Sequence, residues 1–193
     1  LEKMRIISGE LKGRRIKTLT MPIPGYRPAT FKIRQALFSI LTSMGVEWEG
    51  CRVLDLFAGS GSLGMESLSR GAQEVWFVEN HPKLTRLLRE NLIRFNIEGY
   101  RYKIIQRDVI QVIKRTCPSR FHLCFIDPPY GKNRVVPVLK KLLQNRWIIK
   151  GGLVVAEVEA DHPPIKEMEG LRPVDERTYG QTRILLWMVT TKN

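Results

Sequence analysis

The chain has 193 residues, 43% of them hydrophobic and 26% charged, and a formal net charge of +13. These proportions describe a soluble globular protein of one ordinary domain with a small appendage. No apolar run reaches the roughly 20 residues that span a bilayer, and no h-region marks a secretory signal. The charge points to a polyanionic partner, nucleic acid before membrane, because no basic amphipathic helix stands out.

Met4 reads as the natural start. Residues 1–35 hold nine Lys/Arg against only Glu2 and Glu10. Met4 to Ser8 and Gly13 to Leu19 are expected to pair as short strands around the turn Gly9-Glu10-Leu11-Lys12, giving a basic hairpin. Arg5, Lys12, Arg14 and Arg15 are its candidate phosphate contacts. A link with Pro22, Pro24, Gly25 and Pro28 carries Arg27. Thr30 can cap a helix. Ile33, Ala36, Leu37, Ile40, Leu41 and Met44 then recur at helical spacing, which leaves Arg34 on the other face and Phe31 off the stripe.

From residue 51 strand and helix alternate, which argues for a mainly parallel sheet covered on both sides. The expected strands are Arg52 to Phe57, Glu74 to Val78, Tyr102 to Gln106, Phe121 to Ile126 and Leu153 to Val158. A closing hairpin, Leu171 to Tyr179 and Arg183 to Val189, turns near Gly180. Helices are expected from Gly61 to Arg70, from Pro82 through Phe95, up to Arg115, and from Val135 to Leu143. Cys51, Cys117 and Cys124 are odd in number and lack CxxC spacing, so a reduced cytoplasm fits and a metal site is not expected.

Four strand ends carry chemistry. The first strand ends in Asp55-Leu56-Phe57-Ala58-Gly59-Ser60-Gly61, with Gly64 three residues on. The glycines let backbone approach a ligand closely at a helix start. The acid at Asp55 disfavours pyrophosphate and suits a cationic or hydroxyl-rich ligand. Glu79 ends the second strand, where an acid can accept both hydroxyls of a ribose. Asp108 follows the third, placed for an adenine amine. Asp127-Pro128-Pro129-Tyr130 ends the fourth strand, at the edge where open α/β sheets bind ligands. Two prolines stiffen that turn. An exocyclic amine could donate to the Asp127 carboxylate and the Pro128 carbonyl while Tyr130 stacks on its ring.

With these residues in view, the chain resembles the Class I S-adenosylmethionine-dependent methyltransferases. More specifically, it resembles the RsmD family of bacterial ribosomal RNA guanine-N2 methyltransferases. The resemblance runs through Arg5-Ile6-Ile7-Ser8-Gly9, Lys12-Gly13-Arg14, Arg27-Pro28, Arg34 with Leu37-Phe38, and the Asp55 to Gly61 loop. It continues through Gly64, Glu66, Ser69-Arg70-Gly71-Ala72, Asp127 to Tyr130 and Tyr179-Gly180-Gln181. It implies a Rossmann-like α/β fold, a seven-stranded mainly parallel sheet with an antiparallel last strand and helices on both faces. It divides the chain into an RNA-binding hairpin and linker over 1–29 and a methyltransferase domain over 30–193.

The implied cofactor is S-adenosylmethionine, held by Asp55, Phe57, Gly59, Ser60, Gly61, Glu79, Asn80, Asp108 and Val109. Asp127, Pro128, Pro129 and Tyr130 would be catalytic. Arg5, Lys12, Arg14, Arg15, Arg27, Phe31 and Arg34 would face RNA. The implied substrate is 16S rRNA in an assembling small subunit, met by a cytoplasmic monomer without metal. Ala29, Phe31 and Gln35 depart from the family's usual Thr, Asp and Glu. The motifs are also open to an amino-methyltransferase acting on DNA or on another RNA base. An NAD-linked oxidoreductase, which Asp55 disfavours, and a non-catalytic RNA-binding protein on the same fold are the remaining alternatives.

Overall fold

The computed structural model describes residues 4–19, 30–117, 119–129, 131 and 133–190. The expected Tyr130 and Arg27 roles, and the proline-bearing link, lie outside the described residues. Seven strands form one sheet in the order β3-β2-β1-β4-β5-β7-β6. They are β1 (Arg52–Leu56), β2 (Glu74–Glu79), β3 (Tyr102–Gln106), β4 (Phe121–Ile126), β5 (Ile148–Glu159), β6 (Leu171–Tyr179) and β7 (Thr182–Val189). The first five are parallel, and β7 pairs antiparallel with both β5 and β6. The helices are α1 (Phe31–Ser43), α2 (Ser62–Ser69), α3 (Pro82–Arg94), α4 (Val109–Ile113) and α5 (Val135–Gln144). This is the Rossmann-like architecture expected from the alternation. No helix among the described residues is long and apolar enough to cross a membrane.

Strand alternation divides the core into two layers. Val53, Val75, Phe77, Leu123, Phe125 and Val155 face α1, α2 and α3. Leu54, Leu56, Val78, Cys124, Ile126 and Val154 face α4 and α5. The same alternation puts Asp55, Glu79 and Asp127 on the first side of the sheet. Gly64 explains how close that side is packed: a Cβ there would lie 2.2 Å from the Phe77 ring.

β5 is longer than its apolar run suggests. It begins at Ile148, and its register against β4 shifts between Phe121 and Leu123. Gly151 (φ +80°) and Gly152 sit in this irregular stretch, and a Cβ on Gly152 would lie 2.9 Å from the His122 carbonyl. The expected strand begins only at Leu153; here the two glycines before it accommodate a bulge.

The N-terminal segment folds back on itself as expected, through a short pairing: the Arg5↔Arg15 bridge, with the Ile6 N–H donating to the Arg14 carbonyl at 3.0 Å, the Gly13 N–H to the Ile6 carbonyl at 2.9 Å and the Ile16 N–H to the Met4 carbonyl at 2.9 Å. Polar groups of α2 and α3 fasten this short hairpin to the domain. The Glu66 carboxylate accepts from the Ile7 N–H at 2.7 Å and the Ser8 N–H at 3.0 Å. Ser69 Oγ accepts from the Leu11 N–H and donates to the Ser8 carbonyl. Asn91 accepts from the Lys17 N–H and donates to the Lys17 carbonyl, as a strand would. Ile6, Leu11 and Ile16 enter the same apolar core as α1 and α2.

Candidate active site

α1 fixes which end of the sheet faces the N-terminal segment. Met44 to Glu47, just after α1, line a cavity with His122, Gly151 and Met188 at the amino end of β4 and β5. The helix therefore runs antiparallel to the strands, and its first turn lies at their carboxyl edge. Thr30 caps that turn, with Oγ1 accepting from the Ile33 N–H.

The glycine loop is built from strained or permissive backbone. Phe57 (φ 61°), Gly59 (φ 56°) and Gly61 (φ 80°) all lie in the left-handed region. For Phe57 this is uncommon and marks a site held by its surroundings. Gly61 begins α2 without a side chain to cap it. Asp55 supplies the missing acceptor from β1: its Oδ2 takes the Gly64 N–H at 3.0 Å. Asp55 is 1% exposed, and this bond ties its carboxylate to the start of α2. Burial pushes its pKa up to about 7, with the Gly64 N–H opposing and the Glu79 charge adding to the rise.

Glu79 holds the rim of the loop. One oxygen accepts from the Gly59 N–H at 2.9 Å and the other from the His81 N–H at 2.8 Å. Each carboxylate oxygen has a further lone pair. That arrangement fits the adjacent hydroxyls of a ribose. Asn80 is exposed beside it, and Ser60 is buried with its hydroxyl 3.8 Å from Met4 Sδ. Glu79→Ala should weaken S-adenosylmethionine binding by about 1.5–3 kcal/mol, the scale of hydrogen bonds to a charged group. Titration calorimetry reads this directly. Unchanged affinity would place the ribose elsewhere.

Asp108 is more committed than expected. Its Oδ1 caps α4 at the Ile110 and Gln111 N–H groups, and its Oδ2 pairs with Arg134 at 3.1 Å. Arg134 also lies 5.9 Å from the centre of the Phe57 ring. An adenine amine would therefore meet a carboxylate already shared with an arginine. Val109 is buried at the start of α4. Sequence reading missed Arg134, because nothing in its neighbourhood of the chain distinguishes it from other surface arginines.

Asp127 continues the β1–β4 pairing, its N–H reaching the Leu56 carbonyl at 3.4 Å. Pro128 is buried and Pro129 half-buried beyond it. The Asp127 carboxyl is held well above the usual carboxylate range, by burial first, then by the charges of Glu157 and Asp55. Sequence reading missed Glu157 as well, although it lies near the end of β5 as Glu79 ends β2.

Two arginines expected to face RNA are used inside the protein. Arg34 is fully buried, and its Nη2 donates to the Arg5 carbonyl at 2.9 Å. It cannot reach a phosphate from there: α1 buries Arg34 beside Ile33, Leu37 and Phe38, and the sequence stripe hid this. Arg14 donates to the carbonyls of Arg94 and Phe95 at the end of α3 and lies over the Phe95 ring. Cations suit a helix C-terminus. Arg5, Lys12 and Arg15 remain exposed, and Phe31 is half-buried in the first turn of α1. The glycine loop, Glu79 and Asp127 thus meet at one carboxyl edge. This donor set fits S-adenosylmethionine: the glycines leave room for a ligand to approach, Glu79 keeps lone pairs that a ribose could use, and the acids would suit a cation.

Comparison with known proteins agrees with this geometry. The family described as Conserved hypothetical protein 95 matches residues 4–188. The ribosomal RNA small subunit methyltransferase D of Buchnera aphidicola is 37% identical over 157 residues, covering 81% of this chain and 78% of that protein. The protein of the same name from Haemophilus influenzae is 31% identical over 179 residues, covering 92% and 90%. Among solved structures, yhhF from Escherichia coli superposes with a TM-score of 0.84 at 25% identity, covering 98% of this chain and 99% of that one.

Proposed function

The chain belongs to the RsmD-like methyltransferase family and uses S-adenosylmethionine, and from that premise we propose that it methylates the exocyclic N2 amine of a guanine in 16S rRNA. The observation that carries this reading is Asp127-Pro128 beside the glycine loop, at the carboxyl ends of β4 and β1. The names of the relatives support ribosomal RNA of the small subunit as the substrate.

S-adenosylmethionine supplies a methyl group already activated on a sulfonium. The protein's task is to present the amine in line at about 3–3.5 Å. The guanine N2 lone pair is delocalised into the ring. Hydrogen bonds from its two N–H groups to Asp127 and the Pro128 carbonyl favour a pyramidal, nucleophilic nitrogen. The amine proton can leave after transfer, so no strong base is required. Taking the base out of its stack costs a few kcal/mol, part of which Tyr130 would offset by stacking.

In this reading residues 1–29 form an RNA-facing extension of the domain over 30–193, acting in the cytoplasm on a partly assembled subunit. The protein would act as a monomer. Arg5, Lys12 and Arg15 hold phosphates, which position RNA without reading its sequence. Replacing these three with Gln should leave cofactor affinity unchanged and weaken RNA binding. For every phosphate that is no longer neutralised, the slope of log affinity against log salt should flatten by roughly 0.7–0.9. Weaker binding with an unchanged slope would assign these side chains to packing or base recognition.

The test of the function is direct. The protein is incubated with labelled S-adenosylmethionine and either small subunits or free 16S rRNA, and the digested nucleosides are identified by mass spectrometry. N2-methylguanosine is expected. N6-methyladenosine or N4-methylcytidine would overturn the guanine reading and leave an amino-methyltransferase of another base.

A further inference from the structure

We propose that Glu157 is a specificity residue, accepting the N1–H of the target guanine beside Asp127. The proposal rests on the guanine reading above and deepens it. β4 and β5 run parallel with Ile126 opposite Ala156, so Asp127 and Glu157 are the next pair in register. Phe125 and Val155, two residues before them, face the same core. Alternation therefore sends both carboxyls to one side of the sheet, on strands about 4.8 Å apart. Glu157 also lines a crevice with Pro128 and Pro129. The charge of Glu157 contributes to raising the Asp127 pKa, as expected of two groups that face each other.

The chemistry follows from which side of Asp127 is open. On the β1 side stands the glycine loop. On the β5 side stands Glu157, with Glu159 beyond it accepting from the Gly131 N–H at 3.4 Å. Guanine has two ring nitrogens beside its amine, N1 and N3, and in the pose assigned to this site the amine meets Asp127 and Pro128 and N1 turns toward β5. In guanine that nitrogen, N1, carries a hydrogen. In adenine, cytosine and 2-aminopurine the ring nitrogen beside the amine is an acceptor. Two neighbouring carboxyls repel each other, a donor–donor edge relieves that repulsion, and an acceptor adds to it. A site built to accept a hydrogen bond rejects an analogue that cannot supply it.

The test uses small subunits reconstituted with rRNA that carries guanine or 2-aminopurine at the methylated position. Both bases present the 2-amine; only guanine has N1–H. The intact protein should methylate guanine about tenfold faster or more, the usual scale of one good base contact. Equal rates on the two bases would overturn the proposal without any variant. Glu157→Gln, whose amide can donate to an acceptor, should slow guanine and bring the two rates together. Its cofactor affinity should be unchanged. A variant that folds, binds cofactor and keeps the original ratio would also overturn the proposal, while leaving guanine as the substrate. Methylation of adenine by the intact protein would instead overturn the reading on which it rests.

Discussion

Asp127→Ala should remove nearly all methyl transfer while cofactor affinity stays close to that of the intact protein. The carboxylate stands at the end of β4 and is assigned to the amine, whereas the cofactor is assigned to Glu79 and the glycine loop. Loss of one preorganised group at a reacting centre typically costs about a hundredfold or more in rate. The stability effect should run the other way. The folded pKa of Asp127 is raised, by burial first and then by Glu157 and Asp55. For a raised acid, the stabilising contribution is fully present below its unfolded value and is lost as pH rises through the folded pKa. Ionising this side chain in the folded protein is therefore a net cost to folding, and above its raised pKa Ala should melt no lower than the intact protein. Because the amine needs an ionised acceptor, turnover in the intact protein should fall as pH drops through the raised pKa. A variant with wild-type turnover at saturating RNA would take Asp127 out of the reaction. A sharp fall in melting temperature above that pKa would mean that the carboxylate is structural.

How much of this site was readable from sequence depended on whether a residue's job follows from its place in a strand. Asp55, Glu79 and Asp127 all lie at or near the ends of parallel strands, and the period of two assigns them to one face before any coordinates exist. Their common edge followed from topology. Whether a charged group is free or already engaged did not follow. Asp55 reads as a ligand contact, and the sequence did not show that it is 1% exposed and also accepts from the Gly64 N–H. Arg14 and Arg34 read as part of a basic surface, but they bind carbonyls of α3 and of the N-terminal segment. Those partners are 80 and 29 residues away in the chain, beyond the reach of any local pattern. Glu157 was legible in principle. It stands near a strand end like the other three acids, but the Gly151-Gly152 pair made β5 look shorter and more ordinary than it is.

Positive charge and a turn were enough to place a basic element at the N-terminus, but not to say what holds it. The structure answers with Glu66, 0% exposed on α2. Its carboxylate takes the Ile7 and Ser8 N–H groups and pairs with Arg70 at 2.9 Å. The segment's own ladder is short, a single bridge flanked by a few backbone bonds, so these bonds add the attachment that it cannot supply. Ser69 and Asn91 extend the same attachment along α2 and α3.

Glu66→Ala should detach this segment. The substitution leaves two backbone N–H groups without their acceptor and Arg70 without its carboxylate. Removing one partner of a buried ion pair costs about 3–5 kcal/mol. Gly9→Ala reaches the same end by a different route. Gly9 has φ +82°, and a Cβ there would lie 1.7 Å from the Ser69 carbonyl oxygen. Neither the backbone conformation nor the space admits it. Both variants should show a lower urea midpoint and faster tryptic cleavage within residues 4–19, where the exposed arginines and lysines stand. Both should also bind RNA more weakly, because Arg5, Lys12 and Arg15 are then no longer held in a fixed arrangement on α2 and α3. Cofactor affinity is the control that separates detachment from unfolding: Glu79 and Gly59 belong to the sheet side of the site and should still bind. Unchanged proteolysis and RNA affinity in both variants would show that the segment is held by the burial of Ile6, Leu11 and Ile16 alone.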